Sequence, residues 1–165
     1  MSRGSAQFFL RRLKRDILRP DGGALLHACA LVIAGRAHVF IGGPRAGKST
    51  LAALAAGSDA AEALDDETIP VSLSRGRLIV MPPPRAGGRA LPVAGLYSLR
   101  LAAAPALEAE DRADFKRSLG ECCVNFPAEP GRSRRLLKTL EAAAALHRGR
   151  LAFPAGDISV LRLLK

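Results

Sequence analysis

Residues 42–49 constrain this chain more than any other segment, because they satisfy the pattern G-x-x-x-x-G-K-S/T. An apolar stretch, residues 38–41, precedes the loop, and residues 48–56 follow it with leucines at helical spacing. A strand that runs into a glycine-rich loop, which in turn opens a helix, is the arrangement of a phosphate-binding loop. A chance glycine-rich turn is the alternative, and it leaves the flanking strand and helix unexplained. The predicted nucleotide-binding residues are Gly42, Gly43, Pro44, Arg45, Ala46, Gly47, Lys48, Ser49 and Thr50.

The residue types in this loop indicate its ligand. Glycines allow backbone N–H groups to approach phosphate oxygens at a helix N-terminus. Lys48 is expected to reach the β- and γ-phosphates, and the Ser49 hydroxyl to coordinate magnesium. The loop therefore predicts binding of ATP with Mg²⁺. Arg45 occupies a position where glycine is common, and it either lies over the phosphates or points to solvent.

The surrounding pattern predicts an α/β fold with a mixed sheet. Residues 25–33 and 38–41 are apolar and partly β-branched, and Ala34-Gly35-Arg36 joins them, so we expect a β-hairpin that leads into the phosphate loop. A chain of 165 residues suits a single P-loop domain, residues 1–165. A basic amphipathic helix is expected within residues 1–20. Further strands are predicted at 71–73, 77–81, 96–101, 151–153 and 158–164, and helices at 48–56, 111–125 and 133–147.

Composition narrows the partners. The net charge of +10 suits nucleic acid, an acidic protein or a membrane surface. The basic residues are scattered and lack stacking aromatic neighbours, which disfavours nucleic-acid binding. No apolar run reaches the ~18 residues of a membrane span, and no signal peptide is recognisable, so a cytoplasmic protein is expected. Three cysteines without a C-x-x-C pair predict buried free thiols.

An acidic pair, Asp65-Asp66, follows the loop and its helix. Phosphoryl transfer requires a carboxylate for the metal ion and a group that orients or deprotonates the acceptor. This pair is the one placed for both tasks. A surface turn or capping pair is the alternative.

These features together resemble the HPr kinase/phosphorylase-like P-loop proteins, whose fold is related to ATP-dependent phosphoenolpyruvate carboxykinases. His27 at the start of the hairpin, Gly35 at its turn and Asp65-Asp66 after the loop carry the resemblance, which covers roughly residues 25–71. It implies a serine kinase that acts on a protein or peptide. By the match, Asp65 is the general base, Asp66 the magnesium ligand, and His27 positions phosphate or Asp65. A core histidine is the alternative for His27.

One departure from that family separates the possible activities. Bifunctional members carry a Glu-x-x-Arg-Gly-x-Gly type segment linked to the phosphorolytic reaction, whereas residues 81–91 contain no carboxylate. We therefore expect kinase chemistry without phosphorolysis. The alternatives are a nucleotide-binding regulatory or assembly protein without catalysis, and a nucleic-acid-associated ATPase. The sequence leaves the acceptor and a homo-oligomeric state open.

Overall fold

The structure is a computed structural model, and it describes residues 23–81, 89–124 and 130–164. The basic helix expected within residues 1–20 lies outside the described residues, as does most of the segment 81–91. Nine strands occur in the described ranges: β1 (Ala24–Leu26), β2 (Ala28–Ile33), β3 (Arg36–Ile41), β4 (Glu62–Asp65), β5 (Ile69–Ser74), β6 (Arg77–Val80), β7 (Leu91–Leu101), β8 (Ala106–Glu108) and β9 (His147–Phe153). The helices are α1 (Lys48–Ala56), α2 (Arg112–Cys122), α3 (Pro130–Ala145) and a 3₁₀ helix (Ile158–Leu164).

The strands form one mixed sheet, as the sequence predicts. Their order is β1-β5-β6-β7-β3-β2-β4, and β9 pairs with both β7 and β8. Strand β7 runs parallel to β3 and to β9, and the remaining pairs are antiparallel. Because β4 is antiparallel to β2, and β2 is antiparallel to β3, β4 points the same way as β3. The carboxyl ends of β3, β4, β7 and β9 therefore lie along one edge of the sheet.

The predicted hairpin is confirmed. Strands β2 and β3 pair in regular register from Ala28↔Ile41 to Ile33↔Arg36. The turn residues Ala34 and Gly35 both have positive φ, 50° and 73°. Two successive positive φ angles are the mark of a type I′ turn, whose twist matches that of the paired strands. The predicted first strand is interrupted at His27, where β1 leaves to pair with β5.

Helices cover both faces of the sheet. Successive strand residues point to opposite faces, so β2 and β3 contribute to two cores. One core packs Ala30, Val39 and Ile41 with Phe115 of α2 and Leu136 of α3. The other core packs Leu31 and Phe40 with Leu51 of α1 and Val160 of the 3₁₀ helix. Helices on both faces of one sheet agree with an α/β fold.

Two sequence predictions about elements were wrong, and two short strands were missed. Residues 158–164 form the 3₁₀ helix and not a strand, because Val160, Leu161 and Leu164 are buried on one side of a helical turn. The last helix ends at Ala145, so His147 belongs to β9. The short strands β4 and β8 were not predicted.

All three cysteines are buried free thiols, as expected. None of the helices in the described ranges combines the length and apolar character that a membrane crossing requires.

Candidate active site

The candidate site lies at the sheet edge where the parallel strands end. The glycine loop, residues 42–47, follows β3 directly and leads into α1. Asp65 is the last residue of β4, so the acidic pair reaches the same edge. Ligands of open α/β sheets bind outside the carboxyl ends of the strands. The topology therefore brings together two segments that are distant in sequence.

Two positions of the glycine loop, Gly42 and Gly47, have no room for a larger side chain. Gly47 is the N-cap residue of α1 and has φ 102°, and a Cβ there would lie 2.9 Å from Leu101 Cδ2. At Gly42 a Cβ would lie 2.7 Å from the Ala46 Cβ. A Cβ at Gly43 would meet nothing within 4 Å, so the space beside this residue is open. The loop is therefore closely packed at Gly42 and Gly47 and open beside Gly43.

The first turn of α1 is available to an anion. No side chain caps this helix, and its first turn contains no acidic residue. The N–H groups of an uncapped helix start carry the positive end of the helix dipole. Within the loop, the Ala46 N–H donates to the Gly43 carbonyl at 3.2 Å. Arg45 adopts φ 64° and its side chain is exposed.

Lys48 lies across the loop that precedes it. Its ammonium donates to the carbonyl oxygens of Gly42 (2.6 Å) and Gly43 (3.2 Å). The residue is only 8% exposed, so its charge is held at the loop and not in bulk solvent. A buried ammonium on flexible methylenes can exchange these carbonyls for phosphate oxygens with a small change in side-chain torsions.

One cavity, here named the loop cavity, collects most of the predicted site. It has a volume of about 690 Å³, within the range of about 300–1,000 Å³ found for ligand sites. His27, Lys48, Ser49 and Asp66 reach it from three separate segments of the chain. It is further lined by Pro44, Arg45, Ala46, Gly47, Thr50, Glu67 and Leu101.

Asp65 occupies a different position from Asp66. The Asp65 Oδ1 atom accepts hydrogen bonds from the backbone N–H groups of Glu67 (2.9 Å) and Thr68 (3.5 Å). It thereby holds the turn that follows β4, in the manner of an Asx turn. Asp66 is exposed and lines the loop cavity, whereas Asp65 is half-buried and does not.

His27 fixes the acidic turn to the rest of the sheet. The residue is exposed, so the alternative of a core histidine is wrong. Its Nδ1 donates to the Glu67 carbonyl at 2.8 Å, which requires the tautomer that carries hydrogen on Nδ1. Its backbone N–H donates to the Cys122 carbonyl at 2.7 Å. His27 therefore links the end of α2 with the turn that carries Asp66.

The pKa of the buried Cys29 thiol depends on its burial and on the charges around it. Burial, followed by the negative charges of Asp66 and Asp65, raises its pKa from 9.0 to about 12, while the charge of Lys48 acts in the opposite sense. The same thiol therefore lies within electrostatic reach of both acids and of the loop lysine. An inert, neutral thiol is the result.

The sequence did not predict a second cavity, of about 420 Å³, against the same loop. It shares His27 and Pro44 with the loop cavity and is also lined by Gly42 and Gly43. Strands β7 and β9 contribute Ser98, Leu99, Arg100 and Arg150, the segment after β8 contributes Glu110, and α2 contributes Ser118, Glu121 and Cys122.

Glu110 is the centre of a buried polar cluster at this second cavity. Its carboxylate accepts hydrogen bonds from Ser98 Oγ (2.6 Å), Arg150 Nη2 (2.6 Å) and the ring Nε2 of His147 (3.0 Å). The Glu110 side chain is only 2% exposed. Burial is the largest single influence and raises its pKa, but the hydrogen bonds from Ser98, Arg150 and His147 together with the charge of Arg150 outweigh it, so the pKa of Glu110 lies below its ordinary value. Glu110 is therefore an ionised, fully engaged carboxylate.

The residues fit a magnesium ion that is shared with a nucleotide. In the described part of the chain, no group of three or more His, Cys, Asp or Glu side chains is arranged to hold a metal by itself. Magnesium usually takes one or two protein oxygens and completes its shell with phosphates and water. The Ser49 hydroxyl and the Asp66 carboxylate both line the loop cavity and are oxygen donors of that kind.

Comparisons with known proteins give little further guidance. No family model matches the chain, and no curated protein matches it. Among solved structures, the chain is similar to the Hpr(Ser) kinase/phosphatase from Coxiella burnetii, with 17% sequence identity and a TM-score of 0.36. The match covers 72% of this chain and 87% of that chain. Similarity at this level supports no inference about the function of this protein.

Proposed function

We propose that this chain is an ATP-dependent phosphotransferase that transfers the γ-phosphate to the hydroxyl of a serine in a protein or peptide. The observation that carries the proposal is the loop cavity, where Lys48, Ser49, Asp66 and His27 meet. Asp66 shares this cavity with the lysine and serine of the glycine loop, which a simple surface turn would not require, and Asp65 precedes it at the end of β4. The proposal has three parts, which concern the nucleotide, the metal ion and the acceptor.

The nucleotide is held by the loop. Backbone N–H groups of residues 42–49 and the uncapped start of α1 would bind the phosphates. Lys48 would neutralise the charge on the β- and γ-phosphates. Because its ammonium is already held at Gly42 and Gly43, it needs no long displacement to do so.

Ser49 and Asp66 would hold the magnesium ion. A bound Mg²⁺ neutralises charge on the phosphate oxygens during transfer. Asp66 is the acid suited to this task because it is exposed within the loop cavity, close in the chain to the turn that His27 anchors.

Asp65 would act as the general base through Oδ2, because Oδ1 is engaged by the turn. In the transfer step, the serine oxygen forms a bond to the γ-phosphorus, and the bond from that phosphorus to the β,γ-bridging oxygen breaks. The serine proton passes to the Asp65 carboxylate, and ADP leaves. His27 is a positioning residue, since it holds the carbonyl of Glu67 in the turn between Asp66 and Thr68.

Two conservative substitutions test the site. Asp65→Asn retains an Oδ1 acceptor for the Glu67 and Thr68 N–H groups, so the turn is kept while the base is lost. Phosphate transfer should fall by about 10²- to 10⁴-fold, the usual contribution of a general base, with MgATP binding nearly unchanged. Asp66→Asn should instead weaken the magnesium dependence of nucleotide binding.

The measurements are calorimetric titration with MgATP and transfer of labelled γ-phosphate to a serine-centred peptide library. Full activity in both variants would show that the pair is only a surface turn. Exchanged patterns would show that the two roles are swapped. A chain that binds MgATP but transfers phosphate to no peptide would be the nucleotide-binding regulatory protein that is the main alternative.

A further inference from the structure

The second cavity lies beside the loop cavity and borders the start of the glycine loop. Gly42 and Gly43 form one of its walls, and His27 and Pro44 border both cavities. A group bound there lies next to the segment that would hold the phosphates. The position therefore suits the substrate that receives phosphate.

Arg150 supplies this cavity with a cation that retains unused donors. Within the described residues its side chain hydrogen-bonds through Nη2 alone, to Glu110 Oε1, and 41% of the side chain is exposed. Arg100, on the neighbouring strand β7, differs because its Nε and Nη2 both donate to the carboxylate of Glu108. A guanidinium has a planar fork of N–H donors that suits carboxylates. Arg150 can thus engage a second anion.

The cluster beneath Arg150 holds it in place. Glu110 is fixed by Ser98 on β7 and by His147 on β9, and the ring of His147 stacks on Phe115 with centroids 3.8 Å apart. Phe115 is fully buried in α2. An arginine anchored in this way loses less side-chain freedom when it binds a ligand, which favours recognition.

We propose that the second cavity binds the phosphate acceptor, and that the acceptor is an acidic, serine-containing peptide segment whose carboxylate pairs with Arg150. This inference rests on the proposed function. The carboxylate is directed to Arg150 on the strand wall, because Arg100 is already paired with Glu108 and Glu121 on the α2 wall repels an anion. The serine of the same segment then lies close to Gly42 and Gly43, beside the loop cavity.

The test uses the full chain with Mg²⁺ and a non-hydrolysable ATP analogue. Two fluorescent serine-centred peptide pools, one flanked by Asp and Glu and the other by Lys and Arg, are titrated by fluorescence anisotropy. The acidic pool should bind the wild type more tightly. Arg150→Ala should weaken its binding by about 10- to 100-fold, the size of one charge-assisted hydrogen bond. Arg150→Lys should restore part of the loss.

Arg148→Ala is the matched control. Arg148 is an exposed arginine of the same strand that donates to the Ala94 carbonyl and does not line the cavity, so its loss should leave binding unchanged. Thermal melts establish whether Arg150→Ala is folded. If it is not, the conservative variant Arg150→Lys is compared with the wild type instead. Affinity for the nucleotide analogue is measured on every variant.

Equal binding of both pools by the wild type would overturn the inference, as would an acidic preference that survives in Arg150→Ala. An equal loss of nucleotide affinity in Arg150→Ala would also overturn it, since Arg150 would then belong to the nucleotide site. Failure of the proposed function is a separate result. In that case the acidic pool binds with the expected Arg150 dependence, but no phosphate is transferred from ATP.

Discussion

Substitution of Gly47 by alanine should destabilise the protein strongly. The residue has φ 102°, in the region that costs an L-residue about 1–2 kcal/mol. The new Cβ would lie 2.9 Å from Leu101 Cδ2 and 3.0 Å from Phe153 Cζ. Leu101 is exposed and can turn away, but Phe153 is fully buried, and displacing it adds an overpacking cost of about 1–3 kcal/mol. The expected loss in the free energy of unfolding is about 2–5 kcal/mol.

Gly43→Ala provides the control within the same loop. A Cβ at Gly43 meets no atom within 4 Å, so its free energy of unfolding should stay within about 0.5 kcal/mol of the wild type. Urea unfolding followed by circular dichroism measures both variants. Wild-type stability in Gly47→Ala, or an equal loss in Gly43→Ala, would refute the reasoning.

The same pair of variants separates stability from ligand binding. Gly43 is a proposed phosphate-binding residue with open space beside it, so Gly43→Ala should weaken MgATP binding while the fold remains intact. Calorimetry on the folded variant measures this. Unchanged affinity in Gly43→Ala would mean that the phosphates do not approach this part of the loop.

Two further predictions concern single side chains. Lys48→Ala should abolish tight ATP binding, because it removes the cation that neutralises the phosphates, and unchanged affinity by calorimetry would contradict the nucleotide site. Burial, followed by the charges of Arg36 and Arg148, lowers the pKa of His38 from 6.5 to about 4. The pKa of His38 is lower in the folded than in the unfolded protein. Its contribution to the free energy of unfolding is therefore complete above about pH 6.5 and is lost as pH falls towards 4, by about 3 kcal/mol in total. Urea unfolding of His38→Gln should show a correspondingly flatter pH dependence, and an unchanged profile would exclude His38 as its source.

Local signals in the sequence predicted the elements that surround the glycine loop. The hairpin depends on two apolar runs and the Ala34-Gly35 turn, and α1 depends on leucine spacing that begins at Lys48. The hairpin and α1 are held by contacts between residues that are close in sequence, so the hydrophobic pattern and the turn residues suffice to predict them. Lys48, Ser49 and Asp66 line one cavity, and the roles that the sequence suggested for them stay predictions.

Elements that depend on distant partners were missed. Strand β4 has four residues and β8 has three, and neither has enough length to show an alternating pattern. Glu110 was also missed, because its role depends on residues that are distant in sequence. Its partners Ser98, His147 and Arg150 are 12, 37 and 40 residues away, a spacing that no motif encodes. Only the pairing of β9 beside β7 brings them together.

The different positions of Asp65 and Asp66 follow from an irregularity in the pairing of β4 with β2. Leu31 pairs with Ala63, and regular pairing would place Ala30 opposite Leu64, but Ala30 lies opposite Asp65. One additional residue of β4 is therefore inserted at Leu64, as in a β-bulge. Since a shift of one residue reverses the side to which each side chain points, the bulge sets the orientation in which β4 ends. Asp65 then closes its own turn and Asp66 reaches the loop cavity, so two identical acids that are adjacent in sequence have different surroundings. That difference is the structural basis for assigning them different roles.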